Sequence, residues 1–233
     1  MTAVRFWRGA NRVYDRVMTF VLVVILVIVG FCMYDNYWVY SHTIDKSVRK
    51  YKPTEHGYDP GSSPITEDMV GWLTIDKTNI DYPVMQAKDN VRYLNTDPFG
   101  DYSLSGSIFL DSGNSPDFSD DYSLIYGHHM EYGKMFGALD DFLDESYFRA
   151  HTSGTLIIGR DGTETHRLKV FASMEAKASD SAVFNVRRSG HLQFIKASAK
   201  IFAEEPQGRI VALSTCAEGD SVSRIAVFCY IID

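Results

Sequence analysis

The chain is poor in cysteine, with three in 233 residues. Cys32 lies inside a long apolar run, so only Cys216 and Cys229 remain for the rest of the protein. Two thiols cannot build a disulfide framework. If the last two apolar runs form a hairpin, Cys229 lies several residues further along the ladder than Cys216, and a bridge needs Cα atoms within about 7 Å. No bridge is expected, which leaves a free thiol in an exported domain. CxxC and HExxH spacings are both missing, and His128-His129 projects two adjacent rings in different directions, so no zinc site is expected. There is no internal repeat and no low-complexity tract. Basic excess is missing too. The net charge is −7, and residues 1–34 carry four Arg and one Asp, or +3, so the remainder carries −7 − 3 = −10. That balance argues against nucleic acid as a partner.

Charge of either sign is absent from Val17 to Tyr34, a run of 18 residues made mostly of Val, Ile, Leu, Phe and Met. As a helix it spans about 27 Å, enough for a bilayer core. Arg5, Arg8, Arg12 and Arg16 precede it, while no Lys or Arg follows until Lys46. The positive-inside rule then puts residues 1–16 in the cytoplasm and the rest of the chain outside the cell membrane. A cleaved signal peptide is the competing reading. It is disfavoured because Asp35-Asn36-Tyr37-Trp38-Val39-Tyr40 is bulky and lacks a small-x-small cleavage pattern. The aromatics suit a membrane-interface belt instead.

Residues 35–50 are expected to leave the bilayer as a short helix. Pro53, Gly57, Pro60, Gly61 and Pro64 then break any regular pattern, so 35–66 reads as a stalk or linker and 67–233 as one domain. Eight short apolar runs follow, at 70–75, 80–84, 107–110, 123–126, 155–158, 168–173, 210–215 and 225–232. Gly159-Arg160-Asp161-Gly162 reads as a hairpin turn between two of them. Short strands separated by turns predict a mainly β fold, an eight-stranded barrel that is closed or nearly so. Two stretches carry helical spacing: Met135 to Leu143, and Leu192, Ile195, Ala199 and Phe202.

Three residues at predicted strand ends can share one chemistry. Cys216 ends the run Ile210 to Thr215, His128 follows Tyr126-Gly127, and Arg224 opens the last run. An ordinary thiol is only a few per cent thiolate at pH 7; a nearby imidazolium stabilises the thiolate and can protonate a departing amine. A fixed guanidinium can hold a carbonyl or an oxyanion. Singly, each residue has a commoner explanation: a buried small hydrophobe, a turn residue, a solvated charge. Their joint appearance at strand ends of an exported, anchored barrel favours an enzyme acting on polypeptides at the cell surface. His128 precedes Cys216 by 216 − 128 = 88 positions, which is opposite to the papain-like order.

The chain resembles the sortases, membrane-anchored cysteine transpeptidases of Gram-positive bacteria. The likeness covers about 67–233 and rests on Leu213-Ser214-Thr215-Cys216 with Arg224, on Tyr126-Gly127-His128, and on Gly106-Ser107-Ile108-Phe109-Leu110-Asp111. Val70-Gly71-Trp72-Leu73, Asn79 to Val84, Asn90, Tyr93-Leu94-Asn95 and Met135-Phe136 are most similar to class B. This resemblance implies that Cys216 is the nucleophile, His128 the general acid/base and Arg224 the oxyanion and substrate clamp. It implies a sorting-signal groove lined by Asn90, Leu94, Ser214 and Thr215, and no cofactor or metal. The implied partners are exported proteins with a C-terminal NPxT-like or LPxTG-like signal. The implied acceptor is an amine of the peptidoglycan cross-bridge, of its lipid-linked precursor, or a pilin lysine. His129 is expected to be only a neighbour. The chain departs from the class pattern at Ala217, where an acidic residue is usual, and across 176–188. Asp97-Pro98-Phe99 reads as an ordinary turn rather than a lid. A non-catalytic binding module and a simple cysteine peptidase are the alternatives from other classes.

Overall fold

The computed structural model describes residues 2–41, 46–53, 59–130, 133–215 and 223–232. The chain divides into two compact units, Met1–Thr43 and Ile44–Asp233.

The first unit is one helix, α1 (Thr2–Ser41). Its stretch Ala10–Asp35 is long and apolar enough to cross a membrane. No separate short helix spans 35–50 among the described residues. The helix runs on to Ser41, and a 3-10 turn follows at Lys46–Tyr51.

The second unit is a mixed β-barrel. Its strands are β1 (Met69–Ile75), β2 (Asp81–Met85), β3 (Ile108–Leu110), β4 (Tyr122–Gly127), β5 (Ser153–Ile158), β6 (Glu164–Lys177), β7 (Ile201–Phe202), β8 (Ile210–Thr215) and β9 (Ser223–Ile232). The order is β5-β1-β2-β3-β4-β8-β9-β6, and β6 pairs back to β5 to close the ring. Eight strands thus make the barrel, and the two-residue β7 hangs on β6 alone. Pairs β2–β3 and β4–β8 are parallel and the others in the ring antiparallel.

Both faces of the sheet are covered. Val211 and Leu213 of β8 enter one apolar cluster and Ile210 and Ala212 enter the other. That is why β8 reads as an unbroken apolar run instead of an alternation. Phe136, Leu139, Phe142 and Phe148 cap the first cluster from a 3-10 helix (Phe136–Leu143) and from α2 (Glu145–Ala150). Val183 of α3 (Ser181–Phe184) and Ile195 of α4 (His191–Ser198) close the second.

Several local expectations change. Met135 is not helical: it takes φ 50° and bridges to His129. The helical spacing through Phe202 overshoots, because α4 stops at Ser198 and Phe202 pairs with Ala172 as part of β7. Within the stretch read as a linker, Val48 and Ile65 are buried in the same cluster as Trp72. Lys52 and Arg49 ion-pair with Asp81 (2.8 and 3.2 Å), strapping this segment onto β2. The Gly159–Gly162 turn stands as read, joining β5 to β6.

Candidate active site

A parallel pair needs a long crossover, and residues 128–209 supply it between β4 and β8. Its consequence is that the two strands end side by side: Tyr126 lies opposite Ser214, and Gly127 opposite Thr215. His128 is the next residue after Gly127, and Cys216 the next after Thr215. Cys216 itself lies outside the described residues, as does Ala217. Strand β9 runs antiparallel to β8, so its beginning, with Arg224, lies at this same end.

His128 is half-buried. Its Nε2 is 2.7 Å from the carbonyl oxygen of Leu94. A carbonyl only accepts, so Nε2 carries the proton of this bond and the neutral ring keeps its lone pair at Nδ1. Nδ1 is buried and has no hydrogen-bond partner among the described residues. The loop that holds the ring is fixed on both sides. Phe136 N donates to His128 O (3.0 Å), and His129 pairs through Nε2 with Asp140 (2.7 Å). A side chain at Gly127 would crowd this site, because a Cβ would lie 2.8 Å from Ile108 Cγ2 and from the Phe136 ring.

Arg224 stands opposite Ala176 on β6. Its guanidinium carbon is 4.9 Å from the centre of the Phe184 ring, a cation–π contact. Its buried Nε has no partner among the described residues. Phe184 ends α3, in the stretch whose sequence departs from the class pattern, and sequence reasoning missed it. An aromatic under an arginine leaves no spacing signal.

The residues expected to line a groove have varied settings. Leu94 is half-buried, and it is its carbonyl that meets His128. Asn90 is committed at both ends of its amide: Nδ2 donates to Asp111 Oδ2 (2.8 Å) and Oδ1 accepts from Ser112 N (2.8 Å). Ser214 and Thr215 are buried. Thr215 Oγ1 accepts from Ile225 N (3.2 Å), tying the end of β8 to the start of β9. Cys229 is free and buried, and burial pushes its thiol up to about 12.

The sortase domain pattern matches residues 73–232, most of the chain. The chain belongs to the sortase family. Sortase B of Listeria monocytogenes is 34% identical over 164 residues, 65% of this chain and 64% of that protein, so the match leaves over a third of that relative uncovered. Sortase B of Staphylococcus aureus is 31% identical over 179 residues, 72% of each chain. Among solved structures, a Streptococcus pyogenes class B sortase involved in pilus biogenesis is 37% identical with a TM-score of 0.65, covering 72% of this chain and 94% of that one. A Staphylococcus aureus sortase B–substrate complex gives 28% and 0.66, over 72% and 82%. The relatives are class B sortases, as the motifs suggested, and the eight-stranded barrel is the expected fold.

Proposed function

We propose that this sortase is a class B-type transpeptidase in which Cys216 is the nucleophile, His128 the general acid/base and Arg224 the clamp. The observation that carries the proposal is the pairing of Gly127 with Thr215. His128 and Cys216 are the next residues in the chain after these two. The β8–β9 register, Ser214 with Ala226, supports the third member.

The proton logic follows from the Leu94 contact. With Nε2 engaged, Nδ1 is the atom that trades protons with the thiol. Cys216 Sγ attacks the carbonyl carbon of a threonine in the sorting signal. The amide bond after that threonine breaks, and the leaving amine takes its proton from His128 Nδ1. A thioester on Cys216 remains. An acceptor amine then attacks the thioester, gives its proton to Nδ1 and releases Cys216. Arg224, backed by Phe184, offers its donors to the carbonyl oxygen as negative charge develops. The substrate groove would run past Asn90, Leu94, Ser214 and Thr215.

Residues 17–34 would anchor the protein in the cell membrane, with residues 1–16 cytoplasmic, 35–66 leading out and the catalytic domain at 67–233 outside. That location suits a membrane-retained substrate and an acceptor amine of the cell wall, from a peptidoglycan cross-bridge or its lipid-linked precursor. A pilin lysine is the second reading of the acceptor, favoured by the pilus role of the Streptococcus pyogenes relative. The experiment is a partition assay with the full chain in detergent. Peptides ending Asn-Pro-x-Thr-x or Leu-Pro-x-Thr-Gly are cleaved with rising amounts of a primary amine. Diversion of product from acid to amide supports the transpeptidase; cleavage that amine never diverts supports a peptidase.

A further inference from the structure

The Leu94 carbonyl decides which nitrogen of His128 is free, and the structure shows what holds that carbonyl still. Leu94 closes a 3-10 turn (Arg92–Leu94) after β2. Its own N–H donates to Val91 O (3.1 Å). The preceding Tyr93 is buried, and its hydroxyl donates to Asp68 Oδ2 (2.7 Å), which pins the turn to the start of β1. The far wall is Gly106, two residues before β3 begins. Gly106 takes φ 53° and donates its N–H to Ser103 O (3.1 Å). Ser107 then donates through N to Tyr93 O (3.0 Å) and through Oγ to Thr96 O (2.8 Å). A Cβ on Gly106 would fall on the Tyr93 carbonyl oxygen, 2.5 Å from the Leu94 oxygen and 2.8 Å from the Leu94 carbonyl carbon. These are backbone atoms in a turn tied at both ends, so they cannot swing aside as a side chain would.

We propose that Gly106 is a positioning residue for the general acid/base: its missing side chain lets the Tyr93–Leu94 carbonyls approach, seats the Leu94 oxygen on His128 Nε2, and thereby keeps the His128 lone pair at Nδ1. The inference rests on the proposed roles of Cys216 and His128. The size of the effect can be read from distances. Relieving a 2.5 Å contact to the 3.4 Å of ordinary van der Waals contact takes 3.4 − 2.5 = 0.9 Å. A Leu94 oxygen displaced by that amount away from His128 would lie 2.7 + 0.9 = 3.6 Å from Nε2, beyond hydrogen-bond distance. Without the carbonyl, the neutral ring is free to protonate Nδ1 instead, and an Nδ1–H cannot accept the thiol proton. A merely structural glycine would alter stability without altering the tautomer.

The test uses the full chain in detergent, with ¹⁵N-labelled histidine and His128→Gln to assign the signal. The wild type is expected to show His128 as the Nε2–H tautomer; an Nδ1–H tautomer overturns the proposal. Gly106→Ala is expected to give a mixture of tautomers and an acylation rate lowered by roughly tenfold to a hundredfold, the scale of a misplacement near 1 Å, with KM little changed. Gly100→Ala also puts a side chain at positive φ, 94°, but at an exposed turn, and is expected to keep the wild-type rate and tautomer. Gly106→Ala with wild-type tautomer and rate, or a loss matched by Gly100→Ala, overturns the proposal. If Gly106→Ala does not fold, Gly106→Asn takes its place. Asn accepts the left-handed conformation more readily but still carries the Cβ, and it is held to the same two outcomes. A wild type that forms no Cys216 acyl adduct sinks the transpeptidase reading by itself, while the tautomer measurement still decides the Leu94–His128 pairing.

Discussion

Gly127 and Thr215 stand opposite one another in parallel register, although they are 215 − 127 = 88 positions apart in sequence. The proposed site is built on this pairing. It sets Tyr126-Gly127 beside Ser214-Thr215, two stretches far apart in sequence.

A side chain at Gly127 attacks that pairing directly. Gly127→Ala sets a Cβ 2.8 Å from Ile108 Cγ2 and the Phe136 ring. Overpacking of this kind costs about 1–3 kcal/mol. Urea unfolding of the Gly127→Ala protein is expected to show that loss together with weaker acylation, since His128 moves with its neighbour. Full stability and full activity would mean that the strand end repacks freely.

Arg224→Lys keeps the charge and loses the planar guanidinium that lies on Phe184. Removing one oxyanion donor costs about 10²–10³ in rate, and a comparable fall in kcat is expected for this variant. Phe184→Leu, which removes the ring and spares the arginine, is expected to lose less. Steady-state kinetics on both variants checks the order; equal activity of Arg224→Lys and wild type would remove Arg224 from the chemistry.

Asp81 gives the pH dependence of the strap. Burial pushes its carboxyl up, but donors from Lys52, Trp72 and Thr74 outweigh this and hold it below the ordinary 3.8. A carboxyl depressed on folding adds stability above its unfolded value and loses it as pH falls through the folded one. Asp81→Asn is therefore expected to cost about 1–3 kcal/mol at pH 7, the price of leaving buried donors and Lys52 poorly matched. The gap between variant and wild type should close below about pH 4. Thermal unfolding across pH 3–7 measures it, and a gap that stays constant would contradict the assignment.

Thiol labelling separates Cys216 from Cys229. Cys229 is buried opposite Val211 and Val170, with its thiol pushed up to about 12. A charged, water-soluble thiol reagent at pH 7 is expected to mark Cys216 and spare Cys229 in the folded chain. Peptide mapping by mass reads the outcome, and labelling of Cys229 at a similar rate would mean that the barrel opens there.

Much of this arrangement is legible in the sequence because the barrel buries both faces of its strands. Ile210 to Leu213 and Ala226 to Ile231 then read as solid apolar runs. Turn chemistry is equally local: Asp97 Oδ1 accepts from Phe99 N and Asp101 N (2.9 Å each), so Asp97-Pro98-Phe99 is the turn its residues suggest. The errors arise where tertiary pairing overrides spacing. Phe202 fits a helical repeat but is drawn into β7 by Ala172, and Met135 is pulled out of its helix by the bridge to His129. At the site, side-chain roles are visible as residue types, while backbone roles are not. Nothing about leucine marks Leu94 as the residue whose carbonyl meets His128, and nothing about glycine announces how closely Gly106 approaches that carbonyl.

A working transpeptidase of this kind carries an acyl group on Cys216 during turnover. Intact-mass spectrometry of the full chain in detergent, after incubation with Asn-Pro-x-Thr-x or Leu-Pro-x-Thr-Gly peptides, tests it most directly. One adduct is expected, with the mass of the peptide up to its threonine, mapped to Cys216, removed by an added amine and absent from Cys216→Ala. An adduct that persists in Cys216→Ala, or cleavage of the peptide by that variant at the wild-type rate, would contradict it.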